Sequence, residues 1–337
     1  MAIQTLGSVG GLFAMIAPLG LFYALMTAYL SGGGALFLEY LKLVYPDAPI
    51  SLSILLFAGL SGFFIYCSTK AVDYMNRVLF AAMIVCLFLA LWWLVPSINY
   101  SHTLSAITVD GALFVAAIPV IYTSFGFHGS IPSIILYQNG HYQRLPWVLC
   151  IATVLPLLVY ILWVLSVMGV VPSYELSAVS ESSSATEGVV RQLVSATADN
   201  PYLNTALHVF SDFALLTSML GVAIGLFDYL AELFHRKDHR DHRLQTTLIT
   251  FVPPVVFAMI YPEGFIAALG FAAIPLVVLA IFLPAAIVLK VRASDQNPDS
   301  VVGYQTPGGR LAIIMCIIFG ALVICSQVFS VLNKGFF

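Results

Sequence analysis

Nine continuous apolar runs, each near the length of a membrane-crossing helix, constrain this chain more than any other feature. They lie near 10–31, 50–69, 74–95, 112–136, 146–170, 205–233, 244–261, 264–289 and 311–333. A bilayer core takes about 20 residues of α-helix. In lipid every backbone polar group must be bonded internally, so only helices and closed barrels can span. A barrel would read as short alternating segments, and these runs are unbroken. The expected fold is therefore all-α and polytopic, a single transmembrane domain over 1–337. Of the 337 residues, 61% are hydrophobic and 9% charged, against about 45–50% and about 25% in soluble domains. That balance excludes a cytosolic enzyme, a disordered chain and a secreted disulfide scaffold.

Several other classes fall away quickly. The five cysteines, Cys67, Cys86, Cys150, Cys316 and Cys325, are scattered through apolar runs without a CxxC, so they read as buried free thiols. No basic stripe of the kind that binds nucleic acid is present. The first charge of either sign is Glu39. A signal peptide needs a positive stretch before its apolar segment, so the leading run is expected to stay in the mature chain. No P-loop, HExxH or nucleophile elbow is found, and Gly32–Gly34 follows a span instead of opening a phosphate-binding helix. The chain does not read as an enzyme and calls for no cofactor.

Two connections are long. Residues 172–204 are expected to carry a short amphipathic helix around Glu187–Ala198. Residues 290–310 are polar, with turn signals at Asn297-Pro298 and Gly308-Gly309. Basic residues set orientation, since they favour cytoplasmic loops. Alternate connections hold Lys70, Arg77, Arg144, Arg236, Lys237, Arg240, Arg243, Lys290, Arg292 and Arg310. The others hold Lys42, Arg191 and Lys334. The bias predicts a cytoplasmic N-terminus and, after nine spans, a periplasmic C-terminus.

The fourth run carries the densest chemistry, Ala116-Ala-Ile-Pro-Val-Ile-Tyr-Thr-Ser-Phe-Gly-Phe-His-Gly-Ser-Ile-Pro-Ser133. Pro119, Gly126, Gly129 and Pro132 disfavour a regular helix. Transporters use such interruptions to present backbone N–H and C=O groups to a substrate near the midplane. The other reading is a kinked packing helix with close-approach glycines. His128 lies inside the interruption, where an ionisable residue is either a proton carrier or a neutral, hydrogen-bonded histidine. Phe125 and Phe127 can supply an aromatic wall. In the sixth run, His208 and Asp212 are four apart and share a helix face, with Thr217 beyond them. Asp212 reads as a substrate-amine partner or proton acceptor if it faces a cavity, and as a wet helix end otherwise. Tyr23 and Thr27 in the first run are one turn apart. They fit a cavity or ordinary packing equally well. Asp228 and Glu232 read as a solvated helix end. His235, His239 and His242 are spaced for one helical face, but a positive cytoplasmic loop is the preferred reading.

The stretch Ile118–Ser133 resembles the sixth-helix signature of the bacterial aromatic amino acid permeases, the tyrosine- and tryptophan-specific transport proteins of the amino acid/polyamine/organocation superfamily. Tyr23–Gly32, Asn76–Phe80, Gly221–Ala231, Phe251–Pro254 and Tyr261–Phe265 also fit, in order along the chain, and the tyrosine-specific members fit best. The resemblance implies a five-plus-five inverted repeat with one extra C-terminal helix, whose first and sixth helices are broken around the amino acid. It further implies proton-driven import across the inner membrane by alternating access. Carried over by position, Thr123, Ser124, Phe125, Gly126, Phe127 and Gly129 would meet the substrate. Tyr23, Thr27 and Thr217 would line the cavity, and His128 and Asp212 would couple protons. The expected partners are an aromatic amino acid, most simply tyrosine, protons and the lipid bilayer. The family's first two helices have no counterpart, so the nine spans correspond to its third to eleventh. A late start codon or a truncated permease would give this pattern. The alternatives are a non-transporting remnant or accessory subunit, and a permease for another amino acid.

Overall fold

The computed structural model describes residues 2–99, 111–131, 134–135, 145–172, 175, 185–197, 200–236, 240–294 and 309–334. Their regular structure is helical throughout: α1 (Ala2–Val44), α2 (Ile50–Cys67), α3 (Thr69–Leu94), α4 (Gly111–Ser124), α5 (Leu145–Val170), α6 (Ala185–Ala196), α7 (Pro201–Leu233), α8 (Arg240–Ile260), α9 (Phe265–Val277), α10 (Leu283–Ser294) and α11 (Gly309–Lys334). A π-helical turn at Val278–Phe282 joins α9 to α10, and 3-10 turns occupy Val95–Ser97 and Phe127–Ser130. Among the described residues, eight helices are long and apolar enough to cross a bilayer. The stretch expected as the fourth span holds a shorter apolar helix instead, Leu113–Ser124. The polytopic all-α fold is as expected, and the described count is eight long helices plus this short one. The amphipathic helix expected around Glu187–Ala198 is α6. The five cysteines are free thiols as expected but not buried: Cys67, Cys150, Cys316 and Cys325 are exposed on the protein surface and Cys86 is half-buried.

The first helix departs most from its expected length. The run was expected to end near residue 31, before Gly32-Gly33-Gly34. The helix continues to Val44, because the glycines face neighbours that leave no room for a side chain. A Cβ on Gly33 would lie 2.5 Å from the Phe57 ring, and one on Gly34 would lie 2.5 Å from Ile54 Cγ1. The hydroxyl of Ser53 donates to the Gly34 carbonyl over 2.6 Å. Small residues let two membrane helices approach closely, and the packing gained offsets their poor helix propensity.

Helix ends follow local chemistry. Ser68 separates α2 from α3 and accepts from the Ala71 N–H. Asn200 caps α7, its side-chain oxygen accepting from the N–H groups of Tyr202 and Leu203, with Pro201 at the first helical position. The last carbonyls of α2 have no helical partner of their own. Arg243 on α8 supplies one, donating to the carbonyls of Tyr66 and Ile65 at 2.7 Å each. The same guanidinium lies over the Phe227 ring of α7 at 5.4 Å, so one residue ties three helices.

The chain forms two compact units. In the unit made of Phe22–Val109 and Leu158–Ala268, α7 is central and packs most extensively on α3, then on α8, α6 and α2. Leu94, Leu193, Leu203 and Leu207 form the fully buried centre of an apolar cluster in this unit. The other unit comprises Met1–Leu21, Asp110–Leu157 and Leu269–Phe337. There α4 packs on α11, and Ala273, Val277 and Val323 are surrounded by Ile118, Tyr122, Ile281, Phe282 and Ile324.

Replacing Gly34 with valine forces the added carbons into a fully buried Ile54. Overpacking of this kind costs about 1–3 kcal/mol, so the thermal midpoint of the detergent-solubilised Gly34→Val protein should fall. The same substitution at Gly59, which has nothing within 4 Å of a Cβ, should leave the midpoint nearly unchanged.

Candidate functional site

The residues singled out from the sequence fall into two sets, one in each compact unit. The first surrounds the end of α4. Pro119 lacks the N–H that would bond the carbonyl four residues earlier. The Thr123 hydroxyl lies 2.9 Å from the Pro119 carbonyl and 3.0 Å from the Leu269 carbonyl of α9, sharing its proton between them. The Ser124 hydroxyl donates to the Ile121 carbonyl at 2.7 Å. The helix then stops. Phe125 N–H donates to the Tyr122 carbonyl, Gly126 N–H to that of Thr123, and Phe127 N–H to that of Phe125, at 3.2, 3.0 and 2.9 Å. These bonds span two or three residues, not four, so this stretch leaves the α-helical ladder. A Cβ on Gly126 would lie 2.9 Å from the Thr123 carbonyl and 3.3 Å from Leu276 of α9, which is why glycine stands there.

Beyond the break, Phe127 and His128 stack with ring centroids 5.5 Å apart and planes 14° from parallel. His128 Nδ1 is buried and has no hydrogen-bond partner among the described residues. The Tyr122 hydroxyl is in the same state; its ring meets Phe319 edge-on at 5.8 Å. Gly129 lies within the 3-10 turn Phe127–Ser130. The interruption expected between Thr123 and Ser130 is therefore present. It packs against α9, the helix that carries Pro275 and runs into the π turn at Val278–Phe282. Such turns recur at functional sites.

The second set lies on α1 and α7. The Tyr23 hydroxyl donates to the Ile249 carbonyl of α8 at 2.9 Å. Ile249 stands four residues before Pro253, whose missing N–H frees that carbonyl. Thr27 donates to the Tyr23 carbonyl at 2.8 Å, and Thr217 to the Phe213 carbonyl at 2.7 Å, with Met83 Sδ at 4.0 Å. Thus the hydroxyl protons of Tyr23, Thr27, Thr123, Ser124 and Thr217 all go to backbone carbonyls, while their oxygens keep acceptor capacity. Asp212 accepts a hydrogen bond from the Tyr40 hydroxyl of α1. His208, one turn earlier on α7, has Nδ1 at 3.9 Å from Glu39 Oε2. The shared face expected for His208 and Asp212 is therefore the face that meets α1.

Sequence reading passed over Glu39 and Tyr40. The available signal was that Glu39 is the first charge in the chain, about two turns beyond where the apolar run was expected to stop. Asp228 and Glu232 are exposed at the end of α7, as expected of a solvated helix end. His239 lies outside the described residues, and among the described ones no group of three or more His, Cys, Asp or Glu is placed to hold a metal.

Among the described residues, eight membrane-length helices, together with a short helix broken in front of a histidine whose Nδ1 is buried, define a multi-pass α-helical membrane protein with the irregular helices that transporters use. The profile of the Tryptophan/tyrosine permease family matches residues 1–327, and the chain belongs to that family. It is 36% identical to the tyrosine-specific transport system 1 of Haemophilus influenzae, over 96% of this chain and 79% of the relative. It is 34% identical to that organism's tryptophan-specific transport protein, over 94% and 76%. It is also 28% identical to glutamine transporter 2 of Aliivibrio fischeri, over 97% and 82%. No solved structure matches the chain. The family is one of permeases, which places this protein among transporters and not among enzymes.

Removing the Tyr23 hydroxyl leaves a proline-freed carbonyl without its donor. Side-chain hydrogen bonds within membrane proteins contribute about 0.6 kcal/mol on average and up to about 1.7. Unfolding of Tyr23→Phe in mixed micelles should show a loss in that range.

Proposed function

We propose that this protein imports an aromatic amino acid, with tyrosine as its main substrate, across the bacterial inner membrane in symport with protons. The observation that carries the reading is the broken helix at Thr123–Ser130, in a chain of this permease family. Breaking a helix inside the bilayer frees backbone groups that lipid cannot satisfy. An amino acid's ammonium and carboxylate are the groups that such freed carbonyls and N–H groups bind. Phe125 and Phe127 then face an aromatic side chain, and Gly126 and Gly129 let the substrate approach the backbone. Tyr23 and Thr27 of α1 and Thr217 of α7 are assigned to substrate binding as well. Their oxygens act as acceptors, because their protons are already committed.

Proton coupling is assigned to His128 and Asp212. The His128 Nδ1 atom, buried without a hydrogen-bond partner among the described residues, costs free energy that substrate or a proton would relieve. Asp212 supplies a carboxylate that water can reach. Alternating access moves the binding site between the two sides, with the N-terminus cytoplasmic and the C-terminus periplasmic, as the Lys/Arg distribution supports. The similarity to a glutamine transporter favours a second reading, a permease for a different amino acid on the same framework.

Uptake of labelled tyrosine into cells expressing the gene separates these readings. Tyrosine uptake displaced by excess tryptophan and phenylalanine but not by glutamine supports the aromatic assignment. Displacement by glutamine alone selects the second reading. Absence of tyrosine uptake, with the protein present in the membrane, rejects the aromatic assignment, and absence of labelled glutamine uptake as well rejects the second reading. His128→Ala should lower uptake at least tenfold while membrane abundance stays at the wild-type level by quantitative immunoblot. Unchanged uptake would remove His128 from the mechanism.

A further inference from the structure

The contacts between α1 and α7 follow one antiparallel register. Phe22 meets Tyr229 with ring centroids 6.3 Å apart. Further along, Tyr29 and Ser218 are in side-chain hydrogen-bonding reach. At the end of α1, Tyr40 donates to Asp212 and Glu39 faces His208. The seam is aromatic at one end and titratable at the other. Tyr40 is 47% exposed, and the Glu39 and His208 side chains are about one-third exposed, at 31% and 33%, so water reaches this end. The Glu39–His208 contact is an ion pair only when His208 is protonated. Histidine is the side chain that changes charge between about pH 5 and 8.

We propose that Tyr40 is a positioning residue for Asp212, and that Tyr40, Glu39 and His208 make this end of the α1–α7 seam the place where external protons act on transport. The inference rests on the transport reading above, which assigns coupling to Asp212 and places this end of α7 on the periplasmic side. Protonated His208 is drawn to Glu39 and also places positive charge one turn from Asp212. Tyr40 holds the Asp212 carboxylate in a fixed orientation through its hydroxyl. Lowering external pH thus tightens one pair beside the carboxylate while Tyr40 keeps the other in register.

Among the described residues, the connections on this side also carry Glu175 and Glu263. Lys42 lies in the last turn of α1, Asp47 follows it in the loop, and Arg191 lies on α6. From α3 and α6, the side chains buried against the first turns of α7 are apolar, among them Leu94 and Leu193. Among the described residues, Glu39, Tyr40 and His208 are the titratable groups shown beside Asp212 at this end, while further along the seam Tyr29 lies near Tyr160 of α5.

Two measurements on the full chain test the proposal. In cells, the pH profile of labelled tyrosine uptake is compared for the wild type, Tyr40→Phe and His208→Gln, each normalised to membrane abundance. The expected result is a maximal rate lowered about fivefold or more in Tyr40→Phe with little change in KM, and a flattened pH profile in His208→Gln. Wild-type profiles in both variants would overturn the proposal, because a purely structural clamp would alter abundance and leave the profile alone. If the wild type itself does not transport tyrosine, the transport reading has failed and the seam is judged in purified protein. There, Tyr40→Phe and Asp212→Asn should lower the thermal midpoint non-additively, and His208→Gln should remove the midpoint's dependence on pH between about 5 and 8. Additive losses together with a retained pH dependence would overturn the seam on its own terms.

Discussion

The need to satisfy every backbone polar group away from water governs this structure more than any single contact. Prolines inside α1, α4, α5, α8 and α9 each remove a donor, and each could weaken its helix. The protein answers with side-chain hydroxyls. Tyr23 reaches across to the carbonyl freed by Pro253, and Thr123 reaches from the end of α4 to a carbonyl of α9. Arg243 does the same for the open end of α2 with two charge-assisted bonds. The polar residues of this apolar chain are mostly spent on its backbone, and the few polar atoms left over become conspicuous.

That contrast gives the candidate site its meaning. Thr27, Thr217 and Ser124 look alike in sequence to any hydroxyl lining a cavity, yet each donates to its own helix. His128 Nδ1, in the break, is the exception among the residues singled out. Breaking the helix exposes backbone groups, and placing an unused imidazole nitrogen beside them adds a titratable one. A helix designed only to pack would gain from neither.

Much of the framework was legible in the sequence, because hydrophobic length reads out helices directly. The second, third, fifth and ninth runs end within a few residues of α2, α3, α5 and α11. The break at Thr123–Ser130 was also legible, since Pro119, Gly126 and Gly129 carry their conformational preferences locally. The end of α1 was not. Three consecutive glycines read as a stop, and only the facing Phe57 and Ile54 explain why the helix continues. Partners distant in sequence were hidden for the same reason. That Tyr40 meets Asp212 and Tyr23 meets Ile249 follows from how helices pack, which periodicity does not encode.

The length of α7 carries one more consequence. Its 33 residues make a rod about 50 Å long, against a hydrocarbon slab of about 30 Å. Even at the steep tilt of about 40° seen at the limit for membrane helices, the rod outruns the slab. Its ends must therefore sit among lipid headgroups, and the depth of His208 and Asp212 depends on how thick the surrounding membrane is. Longer acyl chains would draw the two side chains towards hydrocarbon, and shorter ones would bathe them in water. Lipid composition thereby acts on the same carboxylate that Tyr40 holds, through thickness alone and without any specific lipid contact.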